Sequence, residues 1–155
     1  MIRVQVEPWS EALRDLLPLF PLHWEELGLD RDVIPMDMDT PRYEALDALG
    51  QIHLTTARDG ERLVGYVICF VIRHLHYRSA GEMALADMYW LDPAHRRGTT
   101  AIRLFTEMER SLRERGVVRM HMSCKVHQDH TALFEWLGYT LSDFTFSKLL
   151  KERRA

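Results

Sequence analysis

At 155 residues, with 46% of them hydrophobic and a formal net charge of −3, the chain is long enough to bury one sizeable core and is expected to form a single domain over residues 1–155. Acidic and basic residues interleave along the whole length, which argues against a basic face for nucleic acid or a basic membrane anchor. The longest apolar runs, such as residues 63–72, reach about half of the roughly 20 residues a spanning helix needs, so no membrane span is expected.

Residues 2–7 alternate as a strand does and lack the charged and apolar regions of a signal peptide. Cys69 and Cys124 each lie in an apolar strand-like stretch, which fits buried, reduced thiols in a cytoplasmic protein. Ser10 is placed to cap a helix carrying Leu13, Leu16, Leu17 and Phe20 on one face, which Pro18 and Pro21 interrupt. Residues 22–39 read as broken helix and loop, either a substrate lid or an ordinary connector. Thr40-Pro41 opens a second helix with Tyr43, Leu46 and Leu49 on one face, ended by Gly50.

Residues 51–57 and 63–77 flank Arg58-Asp59-Gly60-Glu61, an Asp-Gly hairpin signal between two antiparallel strands. Residues 83–91 form a further strand closed by Asp92-Pro93. Residues 98–115 are the cleanest helix, with Ala101, Leu104, Phe105, Met108 and Leu112 on one face and Arg103, Glu107, Arg110 and Glu114 on the other. After Gly116 come a strand over 117–126, a short helix over 129–137 ended by Gly138, and a last strand over 139–150 in which Phe144 and Phe146 are spaced by two. The order predicts an α/β or α+β domain with a mixed, mostly antiparallel sheet of about six strands flanked by helices.

The chemistry concentrates in residues 89–105: a strand, a tight loop of small residues, and the start of an amphipathic helix. Free N–H groups and the helix dipole at such a start favour phosphate, and Arg96 and Arg97 add positive charge. A loop in which Gly98 and the threonines only cap the helix is the alternative.

Those residues resemble the acyl-CoA motif of the GNAT acyltransferases, an aliphatic-x-Pro step followed by Arg/Gln-x-x-Gly-x-Gly/Ala and a helix. The match is Leu91-Asp92-Pro93, then Arg96-Arg97-Gly98-Thr99-Thr100-Ala101, then Leu104-Phe105. Thr99 stands where the first motif glycine usually lies, with Gly98 beside it. Residues 129–139 resemble the second signature, Asn-x-x-Ala-x-x-Tyr-Glu-x-x-Gly-Phe, with Asp129 at the Asn and Phe134 at the Tyr. Leu63-Val64-Gly65-Tyr66-Val67 is similar to the strand that precedes the motif strand, so the resemblance covers about residues 51–150.

The resemblance implies a GNAT-like fold and an N-acetyltransferase that moves an acetyl group from acetyl-CoA to a primary amine by direct attack in a ternary complex. It implies that acetyl-CoA lies between the motif strand and the strand 117–126, on backbone near Tyr89, Trp90 and Leu91. The pyrophosphate is then expected on Arg96, Arg97, Gly98, Thr99, Thr100 and Ala101, with Asp129 and Phe134 lining the same site. In many family members the motif tyrosine protonates the departing CoA thiolate, and Phe134 has no such proton. Tyr89, Tyr139, Ser123 and His127 are the substitute donors, Tyr89 being taken as catalytic.

A protonated amine also needs a base. Asp87, the only acid inside the strand 83–91, shares a face with Leu85, Tyr89 and Leu91 by period-two alternation and is the candidate; a solvent-facing aspartate is the alternative. Glu25 and Glu26 are either substrate-facing lid carboxylates or a solvated helix face. His121, His127 and His130 around Cys124 lack the spacing of a metal site, so no metal is expected, and these histidines are read as lining the cleft or the surface. The competing functional reading is a CoA-binding or ligand-sensing module of the same fold with impaired catalysis. A homodimer is possible in either case.

Overall fold

The computed structural model of the chain describes residues 1–150. Its strands are β1 (Ile2–Val6), β2 (Ile52–Asp59), β3 (Arg62–Arg73), β4 (Glu82–Leu91) and β5 (Val117–His121), hydrogen-bonded in that order in one sheet. The first three pairings are antiparallel, and β4 with β5 is parallel. Helices α1 (Trp9–Leu16), α2 (Leu19–Leu27) and α3 (Thr40–Ala48) cover one face; α4 (Thr100–Glu114) and α5 (Thr131–Trp136) cover the other. The fold is α+β with a mixed sheet, as expected, but the sheet has five strands and not about six.

Two cores flank the sheet. Trp9, Leu16, Phe20, Leu54, Tyr66 and Ile68 pack beneath the first helices, whereas Val64, Val67, Cys69, Leu104, Phe105 and Met108 pack beneath α4. Because β2 and β3 are covered on both sides, they read as continuous apolar runs, and the tight turn between them is made at Gly60, whose φ is +58°. Arg58 is buried at the end of β2 and is matched by carboxylates from two other elements. Its Nε lies 2.7 Å from Glu7 Oε1, and its Nη1 lies 2.9 Å from Asp15 Oδ2. Burial opposes a charge on Glu7, but hydrogen bonds from Arg58, Thr56 and Gln5 bring its pKa down to about 2.

Several boundaries differ from expectation for identifiable reasons. Helix α1 starts at Trp9, so Ser10 lies inside it and not at its cap. Pro18 separates α1 from α2, while Pro21 sits in the first turn of α2, where its missing N–H costs nothing, and the helix therefore runs on through His23, Trp24 and Glu26. The cap of α3 is Asp39, whose Oδ1 accepts from the Arg42 N–H at 3.1 Å, one residue earlier than Thr40. β3 ends at Arg73, and β5 ends at His121. Cys69 is buried, but Cys124, beyond the end of β5, is only half-buried.

The largest correction concerns the expected last strand: residues 140–150 adopt no regular structure. Leu141, Phe144, Phe146 and Leu150 are exposed, Phe146 at 93%. Alternation marks a segment able to form a strand, but a strand exists only where a neighbouring edge supplies its hydrogen bonds.

Candidate active site

The site grows from the way β4 meets its two neighbours. Against β3 its register slips between Ile68 and Cys69: Ile68 faces Met88 and Cys69 faces Ala86, leaving Asp87 as the extra residue of a bulge. Against β5 the pairing covers only Glu82 to Leu85. From Ala86 onward this edge of β4 has no ladder partner among the described residues, so its backbone groups are open to a ligand.

The bulge changes which face Asp87 occupies. Met88 packs with the core under α1–α3, Tyr89 packs with the core under α4 and α5, and Asp87 turns toward α3, where the Tyr43 hydroxyl donates to its Oδ2 at 2.5 Å. The expected shared face of Asp87 with Tyr89 is therefore absent, because period-two alternation fails across a bulge. Asp87 is exposed as a residue, yet desolvation of its carboxyl raises its pKa, offset in part by the Tyr43 hydrogen bond. Tyr43 is stacked on Trp9 at 4.6 Å and lies 6.0 Å from Phe70, which fixes its hydroxyl.

Beyond the bulge, where β4 has no pairing with β5, a cavity of about 220 Å³ is lined by Tyr89, Trp90, Leu91, Arg96, Ala101 and Glu26, among others. Glu26 reaches it from α2. Its carboxylate accepts from Trp90 Nε1 at 2.8 Å, from Arg96 Nη1 at 2.5 Å and Nη2 at 2.7 Å, and from Gln128 Nε2 at 3.2 Å. Chiefly through Arg96, the Glu26 pKa is held near 2, so the group is anionic at neutral pH. Arg96 also donates from Nε to the Leu91 carbonyl at 2.8 Å. Glu26 thus faces protein and cavity and is not part of a solvated helix face, while Glu25 is exposed.

Beside the cavity runs the loop into α4. Gly98 adopts φ +89°, Thr99 adopts φ −103°, and an added Cβ at Gly98 meets nothing within 4 Å. The left-handed residue the turn requires is Gly98, which frees the next position to carry a side chain. Thr100 is buried in the first turn, whereas Arg97, Gly98 and Thr99 are exposed. The N-terminal amides of α4 accordingly open to solvent next to two arginines.

Phe134 does not line the cavity. It is 8% exposed and packs on Tyr89, Phe105 and Tyr139 with ring centroids 5.8–5.9 Å apart. Asp129 turns inward on its own loop, accepting from the Thr131 N–H at 2.8 Å. Among the described residues no group of three or more His, Cys, Asp or Glu is assembled to hold a metal ion.

Tyr89, Trp90, Leu91, Arg96 and Ala101 are therefore brought together around one cavity, and Arg97, Gly98, Thr99 and Thr100 lie at its rim. Asp87 turns toward α3, Phe134 packs behind Tyr89 and Phe105, and Asp129 is exposed on the loop before α5. Two features escaped sequence reasoning: the Glu26–Arg96 pair and the Tyr43–Asp87 pair. Each joins elements far apart in the chain, and neither leaves a local signal.

The model of the acetyltransferase (GNAT) family matches residues 9–139. No curated protein sequence matches the chain. Among solved structures, an aminoglycoside acetyltransferase from an uncultured soil metagenomic sample, in complex with sisomicin, superposes with a TM-score of 0.74 at 14% identity, covering 97% of each chain. Ribosomal-protein-alanine N-acetyltransferase from Brucella melitensis biovar Abortus 2308 does so at 0.70 and 18% identity, covering 98% of this chain and 100% of its own. Glucosamine-6-phosphate N-acetyltransferase from Arabidopsis thaliana gives 0.72 at 12% identity, over 97% and 99%. At these identities the likeness is one of fold.

Proposed function

The chain belongs to the GNAT acetyltransferase family, and from that premise we propose that it is an N-acetyltransferase in which a primary amine attacks acetyl-CoA directly within a ternary complex. The observation that carries this reading is the open edge of β4 beyond Leu85, with the cavity at Tyr89–Leu91 and the loop into α4 at its end. A free strand edge suits the amides of a pantetheine arm, and exposed helix N–H groups beside Arg96 and Arg97 suit a pyrophosphate. Gly98, Thr99, Thr100 and Ala101 supply the backbone of that anion site.

In the proposed reaction Asp87 takes a proton from the acceptor ammonium, and desolvation, which raises its pKa, strengthens it as a base. The nitrogen lone pair then attacks the thioester carbonyl, and a backbone N–H of the bulged strand holds the oxygen as charge develops. Collapse breaks the C–S bond. No enzyme nucleophile and no metal enter.

The chemistry of the first helices favours a polycationic acceptor. Residues 22–50 carry Glu25, Glu26, Asp30, Asp32, Asp37, Asp39, Glu44 and Asp47 against only Arg31 and Arg42, and this segment leads to Asp87 through Tyr43. An aminoglycoside-like or polyamine acceptor fits that field better than a sugar phosphate.

The same proposal places one domain over residues 1–155 in the cytoplasm; no helix of the described residues is long and apolar enough to cross a membrane. It includes a homodimer, for which Leu141, Phe144, Phe146 and Leu150 offer an exposed apolar strip; a single-chain mass by light scattering would remove it. The deciding experiment is calorimetric titration of acetyl-CoA into the protein and into an Arg96→Ala, Arg97→Ala double variant. Micromolar binding that the variant loses is expected, and no binding to the parent protein rejects the reading. Phe134 favours a second reading, a CoA-binding module without turnover, which predicts the same binding but no acetyl transfer to any amine.

A further inference from the structure

Resting on the acetyltransferase reading, the geometry points to His130 as the proton donor to the departing CoA sulfur. Acid catalysis of this kind is worth about 10²–10⁴-fold, and Phe134 cannot supply it because a phenyl ring has no transferable proton. Two of the alternatives, Tyr139 and His127, face away from the reacting centre: Tyr139 borders a separate depression with Glu109, and His127 is exposed and outside the lining. Ser123 is likewise outside the lining, and its carbonyl oxygen accepts the Tyr89 hydroxyl at 2.9 Å.

His130 lines the cavity together with Tyr89. It precedes Phe134 by four residues, so the two rings share one face of the helix start and lie 6.3 Å apart. The acid has moved one turn along the same element. Because the Tyr89 hydroxyl proton is committed to the Ser123 carbonyl, its oxygen is left to accept from His130 Nδ1 at 3.2 Å. That bond assigns the Nδ1 proton and orients the ring, and Nε2 has no hydrogen-bond partner among the described residues. The charged groups around the ring are Asp129 beside it, and Glu26 with Arg96 across the cavity.

As the C–S bond breaks, its electron pair passes to sulfur and the proton on Nε2 of the imidazolium transfers there. Free thiol and neutral imidazole result, with Nδ1–H still on Tyr89, and solvent returns a proton to Nε2 before the next cycle. Tyr89 is on this account a positioning residue, and its raised pKa keeps it a neutral hydroxyl.

The test uses the full chain, acetyl-CoA, and hydroxylamine, an amine small enough to enter any acceptor site. His130→Phe is expected to bind acetyl-CoA within about threefold of the parent while single-turnover transfer falls about 100-fold or more. His130→Asn, which keeps an N–H for Tyr89 but has no transferable proton, is expected to show the same loss. Transfer unchanged in both His130 variants overturns the assignment, as does a His130→Asn variant that keeps full transfer while His130→Phe loses it. Failure of the parent protein to bind acetyl-CoA instead removes the acetyltransferase reading on which the assignment stands.

Discussion

The two faces of the sheet carry parallel equipment in different settings. Under α1–α3, a carboxylate on the bulge of β4 meets a stacked tyrosine, Asp87 with Tyr43. Under α4 and α5, a tyrosine of the same strand meets a histidine, Tyr89 with His130. Each face also holds a buried histidine: His23 Nδ1 lies 2.8 Å from the Tyr66 hydroxyl, and His53 Nε2 lies 2.7 Å from Ser111 Oγ. What separates them is what surrounds them. The Asp87–Tyr43 pair rests against the acidic segment 22–50, whereas the Tyr89–His130 pair lines a mainly apolar cavity to which that segment contributes Glu26. A single-residue bulge lets one strand present a carboxylate to one side and a hydroxyl to the other.

The comparison breaks most sharply at Asp87. Asp87→Asn is expected to lower kcat about 10²–10⁴-fold with acetyl-CoA affinity unchanged, because it touches only the acceptor face. If affinity falls in step with kcat, the division of labour between the faces is wrong.

The buried histidines should act together whichever face they occupy. Burial lowers both pKa values to about 4, so the unfolded chain binds more protons as pH falls below the ordinary histidine value of about 6.5. Stability is therefore full above that pH and is lost toward pH 4, on the order of 3 kcal/mol per histidine. Thermal melts across this window measure it, and His53→Gln should flatten the curve by about half. A flat profile in the parent protein would mean that these rings are open to water.

Tyr43→Phe is a finer probe of the acceptor face. Removing the hydroxyl takes away the hydrogen bond that lowers the Asp87 pKa, so the rise of kcat/KM with pH is expected to move to higher pH. Unchanged profiles would show that Tyr43 merely packs. Smallest is Gly98→Ala at the cofactor end: forcing a Cβ onto φ +89° costs about 1–2 kcal/mol, and a five- to tenfold weaker Kd for acetyl-CoA is expected.

Legibility followed the range of the interactions. The β2–β3 hairpin, the amphipathic α4 and the loop between β4 and α4 were readable because each depends on neighbours within one turn or hairpin. Strand alternation failed twice, each time for want of a partner. Across the bulge it misassigned the face of Asp87, and over residues 139–150 it gave a strand where the segment pairs with no edge of the sheet. Glu26 read either as a lid carboxylate or as part of a solvated helix face; that it would bind Arg96, Trp90 and Gln128 could not be read from positions so distant in the chain.

By itself the amino-acid sequence determined most of the strands and helices, the two signatures and the family, since periodicity, turn chemistry and motif spacing are local properties. Only the tertiary structure decided the register slip that exposes Asp87, the early end of β5 that leaves the β4 edge open, and the meeting of His130 with Tyr89. Those depend on which backbone hydrogen bonds two distant segments exchange, and no single segment encodes that choice.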